Sequence, residues 1–268
     1  MTVPIGGDPA AVSCRVGRHD SPVVRMVGAA QRWDFRWTSS RQVGEDLAVA
    51  LAYHDVDHRE AERNLLAAGW TPCGAGDWAI ALRSPDGMTA ARISPFDPTG
   101  PYNAALYRQA EHTRQVPRLF THNRLLGGGD LQVMEWLLPA AEAEAVAFHQ
   151  AIARRAPEVA ELVDVVRRVH NRARLELPWC GPLDHNPANV MRTVDGRLVV
   201  VDLFYADGPN LYASAATDPD LVVARIPEAE RRFMTEIPLA TSGPWETAAR
   251  EMMRTALALA DARPSGGG

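Results

Sequence analysis

The chain contains no lysine: all 28 of its basic residues are arginine. Any step that needs a lysine amine, such as a Schiff base, is therefore excluded. Cysteine is scarce. Cys14, Cys73 and Cys180 are widely spaced and form no C-x-x-C pair, so neither a disulfide framework nor a zinc site is supported. Positive charge is not in excess, and a net charge of −5 gives no basis for a nucleic-acid partner. Long apolar runs are missing, so no membrane-spanning helix is expected. The first residues lack the basic-then-apolar order of a signal peptide. No internal repeat is visible. These absences lead us to expect a globular chain in a reducing, cytoplasmic setting, with no membrane partner. A length of 268 residues suits one domain built as two lobes.

Turn signals and hydrophobic periods divide the chain. Residues 1–56 read as an N-terminal extension with an aromatic cluster at Trp33, Phe35 and Trp37 and a helix over 41–54. Asp57 can cap a second helix, with Glu60 three residues on as in a capping box. From Trp70 the pattern becomes strand-like, over 78–82 and 88–93, around the turn signal Ser84-Pro-Asp-Gly87. A helix over 102–114 follows a Pro- and Gly-rich loop. Strands at 118–126 and 131–137 flank the turn at 127–130. Beyond Pro139 the chain reads as mainly helical, over 140–155, 157–175, 227–235 and 245–263. A hairpin interrupts it at 190–192 and 197–202, and a loop runs on to about Pro219. We therefore expect a lobe at 57–137, a second at 138–263, and a disordered tail at 264–268.

One stretch carries more chemistry than the rest. Asp184-His-Asn-Pro-Ala-Asn189 is followed, thirteen residues after Asn189, by Asp202 at the end of an apolar run. A carboxylate in a loop can orient or deprotonate a hydroxyl. An amide and a second carboxylate held across a hairpin can bind Mg²⁺ on a nucleoside triphosphate. Phosphoryl transfer needs this division, since the protein mainly positions reactants and neutralises charge. Read singly, the same residues fit humbler roles: Asp184 and Asn189 in a turn, Asp202 at a strand end.

Together these residues resemble the protein-kinase-like superfamily, and within it the aminoglycoside phosphotransferase type of small-molecule kinase. Residues 184–189 resemble its D-x-x-P-x-N catalytic loop, and Asp202 stands in the place of the D-F-G aspartate. The resemblance implies an α+β, two-lobed fold, with a small antiparallel sheet in one lobe and helices in the other. It implies that Asp184 serves the acceptor hydroxyl and that Asn189 and Asp202 hold Mg²⁺. Gly74 and Gly76 stand near the family's glycine-rich loop, just before the first strand pair. Thr89-Ala-Ala-Arg92 resembles the V-A-I-K strand, with Arg92 in place of the lysine. Glu111, nineteen residues on, is the matching partner for a strand-to-helix ion pair. Val133-Met-Glu135 resembles the hinge, whose backbone would hold adenine, and Asn186 could donate to a phosphate. ATP and Mg²⁺ are the implied cofactors, with a small-molecule hydroxyl, or less readily a protein, as acceptor.

The departures are Arg92 for lysine, Pro182 where a histidine often stands, Asn186 for a basic residue, and Asp202-Leu-Phe for D-F-G. They motivate an alternative, a pseudokinase acting as a nucleotide sensor or through protein contacts. Transfer of AMP on the same fold has no feature of its own to select it. The 66 residues after Asp202 contain no A-P-E motif, which favours a small-molecule or atypical kinase over a conventional protein kinase. His54-Asp-Val-Asp-His58 has metal-binding residue types, but also reads as a polar connection with Asp57 as the cap.

Overall fold

A computed structural model describes residues 55–76, 79–236 and 246–263. The expected helix at 41–54, the Trp33–Trp37 cluster, His54, Trp78 and the tail at 264–268 lie outside the described residues. Asp57 does cap helix α1 (His58–Ala67): its Oδ1 accepts from the backbone N–H groups of Arg59 and Glu60, each at 2.9 Å. The helix lays Ala61 and Leu65 on the sheet lobe's core.

Five strands form an antiparallel sheet: β1 (Thr71–Ala75), β2 (Ile80–Arg83), β3 (Thr89–Ser94), β4 (Leu119–Arg124) and β5 (Asp130–Glu135). Their order is β1-β2-β3-β5-β4. Strand alternation decides what faces the core. In β3, Ala91 and Ile93 are buried with Leu82, Leu131 and Val133, while Arg92 projects from the opposite face. Helix α2 (Gly100–Ala110) connects β3 to β4 and packs on the other lobe's core through Tyr102, Leu106 and Tyr107. It is shorter than expected, because the chain tightens into a 3₁₀ turn at Glu111–Thr113 and leaves through Arg114 at φ +60°.

The larger part is mainly helical. It starts with β6 (Leu137–Pro139) and helices α3 (Glu142–Arg154) and α4 (Ala160–Glu176). The hairpin β7 (Val190–Thr193) and β8 (Leu198–Val200) then joins β6 in a three-stranded sheet. The hairpin turns at Gly196, whose φ is +91°. Helices α5 (Gly208–Thr217), α6 (Pro219–Arg225), α7 (Glu228–Arg231) and α8 (Thr247–Asp261) follow. The expected loop up to Pro219 is thus corrected: α5 lies within it. Asp207 accepts from Asn210 N–H at 3.1 Å, Pro209 sits in the first turn, and Leu211, Tyr212 and Ala215 form its buried stripe. The expected helix at 227–235 shrinks to a short one. The fold is α+β and two-lobed, with a small antiparallel-sheet lobe and a mainly helical lobe. Among the described residues no helix is long and apolar enough to cross a membrane.

The segment around α7 returns to the sheet lobe. Phe233 N–H donates to Gly127 C=O at 3.3 Å, Arg124 pairs with Glu230 at 2.7 Å, and Arg59 pairs with Glu236 at 2.7 Å. The β4–β5 turn is glycine-rich because this approach is close. A β-carbon at Gly128, where φ is +91°, would lie 1.9 Å from the Glu230 carbonyl oxygen. Gly128→Ala is expected to destabilise the chain by about 3 kcal/mol or more, through left-handed strain plus a backbone clash. Urea denaturation checks this, and a loss below about 1 kcal/mol would show that the turn moves aside.

Candidate functional site

The hairpin register brings the motif residues together. Val190 pairs with Val200, and Val201 N–H donates to Asn189 C=O at 2.7 Å, so Asn189 and Asp202 become neighbours. The loop before the hairpin lies against the strand exit: Gly181 N–H donates to Tyr205 C=O, and Asp184 N–H donates to Leu203 C=O, each at 3.0 Å. Asn189 then joins the two acids. Its Nδ2 donates to Asp184 Oδ2 at 2.9 Å and to the Asp202 carbonyl at 3.3 Å.

Arg92 reaches Asp202 from β3. Its Nε donates to Asp202 Oδ2 at 3.2 Å and its Nη1 donates to Asp97 Oδ2 at 3.0 Å. Burial works to lower the guanidinium's pKa, but Asp202 and Asp97 outweigh it and hold the group above its ordinary value. One cation therefore stands between two carboxylates. Burial, with Asp97 and Asp130 nearby, pushes the Asp202 carboxyl above the usual range despite Arg92. Asp202 Oδ1 is buried and has no hydrogen-bond partner among the described residues. A buried carboxylate oxygen left in this state suits a cation. Among the described residues no three His, Cys, Asp or Glu side chains group around a metal position, so an ion here would need further oxygens from amides, water or a bound molecule.

Glu111 is a correction. The expected pair with Arg92 does not form, because Glu111 lies past the last α-helical turn and is exposed. The acid that neutralises Arg92 is Asp97, from the loop before α2, with a side chain only 3 % exposed. The place one turn earlier on the helix belongs to Tyr107, whose hydroxyl accepts from Asp202 N–H at 3.0 Å. Gly74 and Gly76 shift as well. Gly74 lies inside β1, paired with Ala81 beside a bulge, rather than in a loop before the first strand pair, and Gly76 N–H donates to Ala79 C=O at 2.7 Å in the turn.

At the end of β5 the backbone N–H groups of Glu135 and Trp136 donate to Arg118 C=O and Met88 C=O, at 3.0 and 2.8 Å. The Glu135 carboxylate accepts from Arg118 N–H at 2.8 Å and from Arg197 Nη2 at 3.0 Å. Glu135 thus braces the crossing between the lobes, and its own N–H is not free for a base. Asn186 caps its turn by accepting from Ala188 N–H at 3.0 Å.

A cavity of about 900 Å³ joins these residues, a volume suited to a nucleotide-sized ligand. Gly74, Gly76, Arg92, Glu135, Asp184, Asn186, Asn189 and Asp202 all line it, and Glu111 does not. Its apolar lining comes from residues such as Ile80, Ala90, Met134, Leu137, Met191 and Val201. Asp184, His185 and Tyr205 are among its polar lining.

Sequence reasoning missed several supports. His149, on α3, is buried and hydrogen-bonds Asn186 C=O through Nε2 at 3.0 Å, and burial lowers its pKa. His170, on α4, reaches Gly181 C=O at 2.8 Å. These imidazoles hold the loop on either side of Pro182, at Gly181 and at Asn186. Asp97 had a signal: an aspartate between Pro95 and Pro98, two residues before Thr99, is a loop acid with a local role. Asn103 and Tyr107, four residues apart on an otherwise apolar helix face, were also legible.

Solved structures to which the chain is similar are protein-kinase-like. A pseudokinase titled drought responsive inactive kinase 1 shares 14 % identity, with 81 % of this chain and 93 % of that one covered at a TM-score of 0.30. An aminoglycoside phosphotransferase from Streptomyces rimosus shares 16 % identity over 76 % of this chain and 99 % of its own, at a TM-score of 0.29. The Cydia pomonella granulovirus kinase shares 11 % identity over 75 % and 91 %, at a TM-score of 0.30. No family model and no curated protein matches the chain.

Proposed function

We propose that the chain is an ATP- and Mg²⁺-dependent phosphotransferase that acts on a hydroxyl group of a small molecule. The observation that carries this reading is the convergence of Asp184, Asn189 and Asp202 with Arg92 on one cavity. In it the apolar lining side chains take the base, and Asn189 and Asp202 hold the cation, which neutralises phosphate charge. Asp184 orients the acceptor hydroxyl. A base of ordinary strength suffices, because the transition state for phosphoryl transfer is mainly dissociative.

One observation favours a second reading, the pseudokinase. Arg92 already has Asp97 and Asp202 as partners, so its charge is spent within the protein rather than held for phosphates. Thermal unfolding with ATP, with and without Mg²⁺, separates the two. A stabilisation that requires Mg²⁺ supports the phosphotransferase, and none at millimolar nucleotide supports the pseudokinase. ATP turnover with a metabolite mixture, read by mass spectrometry, then identifies the acceptor. Asp184→Asn is expected to lower turnover by about 10²-fold or more while the nucleotide-dependent stabilisation stays. Turnover at the wild-type rate in that variant would remove Asp184 from the mechanism.

A further inference from the structure

Asp202 is held from several sides. Its N–H donates to Tyr107 Oη at 3.0 Å, its C=O accepts from Asn189 Nδ2 at 3.3 Å, and its Oδ2 accepts from Arg92 Nε at 3.2 Å. Among the described residues Oδ1 is the atom left without a partner. Asp202 also sits at φ +46°, where non-glycine residues are uncommon, so these contacts must select its backbone conformation. Two residues on, Phe204 is gripped by Asn103, whose Nδ2 donates to its C=O at 2.9 Å and whose Oδ1 accepts its N–H at 3.2 Å. Thr99 Oγ1 donates to the same carbonyl at 3.2 Å. Thr99, Asn103 and Tyr107 are all buried. Asn103 and Tyr107 share a face of α2, and Thr99 precedes its first turn.

We infer that Tyr107 is a positioning residue for Asp202, and that helix α2 sets the segment 202–204 through this side-chain clamp. The clamp stands where the resemblance calls for an ion pair between Arg92 and a helix glutamate. It links the helix directly to the backbone of Asp202 instead of to the β3 cation. Displacing α2 therefore displaces Asp202, and the segment cannot turn over while the helix stays in place. The inference rests on the proposed reading of Asp202 as a cation-holding residue.

The test uses the full chain and Tyr107→Phe, which keeps the ring and removes the acceptor. Hydrogen exchange of the ligand-free protein, followed by mass spectrometry, is expected to rise about tenfold at 202–204 and to stay unchanged in α4, the scale of one lost bond to a buried amide. Calorimetric titration with ATP is expected to show about tenfold weaker binding in Mg²⁺ and unaltered binding in EDTA. Unchanged exchange at 202–204 overturns the inference. Raised exchange with unchanged Mg²⁺-dependent affinity also overturns it, because the bonds would then serve only the fold. If the wild-type chain binds ATP equally in Mg²⁺ and EDTA, the cation reading of Asp202 fails, and the exchange experiment alone decides whether the clamp exists. Should Tyr107→Phe not fold, Asn103→Ala replaces it. It leaves Tyr107 in place, and exchange is then expected to rise at Phe204.

Discussion

Arg92→Met will destabilise the chain by about 3–5 kcal/mol, the loss typical of removing one partner from a buried ion pair. The side chain is 13 % exposed and Asp97 only 3 %. Without the guanidinium, the buried Asp97 and the partly exposed Asp202 face each other with only Arg124, beside Asp97, to offset them, and Asp130 is close enough to add to the repulsion. Urea denaturation at neutral pH gives the number. A loss under about 1 kcal/mol would mean that solvent already neutralises these acids. The double variant Arg92→Met/Asp202→Asn separates the contributions, because removing one of the two stranded charges should recover part of the loss. Recovery would show up as a coupling energy between the two sites. Simple additivity would show that Arg92 matters through its packing alone.

Asp202→Asn should move stability and ligand binding in opposite directions. The ligand-free chain is expected to gain about 1 kcal/mol, and the Mg²⁺-dependent response to ATP is expected to vanish. Asparagine tolerates positive φ about as well as aspartate, so the backbone at φ +46° is not penalised. Its carbonyl oxygen can still accept from Arg92. What it removes is an ionised group that burial disfavours. Because 30 % of the side-chain surface remains exposed, the gain stays modest. The sign with pH follows from the raised pKa. The wild-type site is comfortable when Asp202 is protonated and loses stability as pH rises through the raised value. The advantage of the variant should therefore be full near neutrality and close as pH falls toward the ordinary carboxylate range. An advantage that is constant with pH would show that the ionisation of Asp202 is not its source.

Local patterns carried the sequence reading furthest. Turn residues and alternation marked the sheet strands and the β7–β8 hairpin, and the D-x-x-P-x-N run with Asp202 thirteen residues after Asn189 pointed to the loop that the hairpin register then brought together. What failed was an inference about pairing at a distance. A separation of nineteen positions from Arg92 to Glu111 said nothing about where α2 would end. The early 3₁₀ turn turned Glu111 outward and left Asp97, only five residues from Arg92, as the nearer acid. Helix α5 was missed because Asp207, Gly208, Pro209 and Asn210 are turn formers by composition. In this setting they act as cap and first turn. The roles of His149 and His170 were hidden for a different reason. Each acts on a backbone carbonyl, and no side-chain motif marks such a target.

The return of the chain around Phe233 to the β4–β5 turn limits how the molecule can breathe. Swinging the jaws apart would pull Phe233 off Gly127 and part Arg124 from Glu230 and Arg59 from Glu236 at once. Opening the groove therefore costs these three contacts together, and because both ion pairs are partly exposed each adds at most about 1 kcal/mol to that cost. The two lobes are thus tied at the β4–β5 turn as well as at the crossing by Glu135, so parting them breaks contacts at two places in the chain.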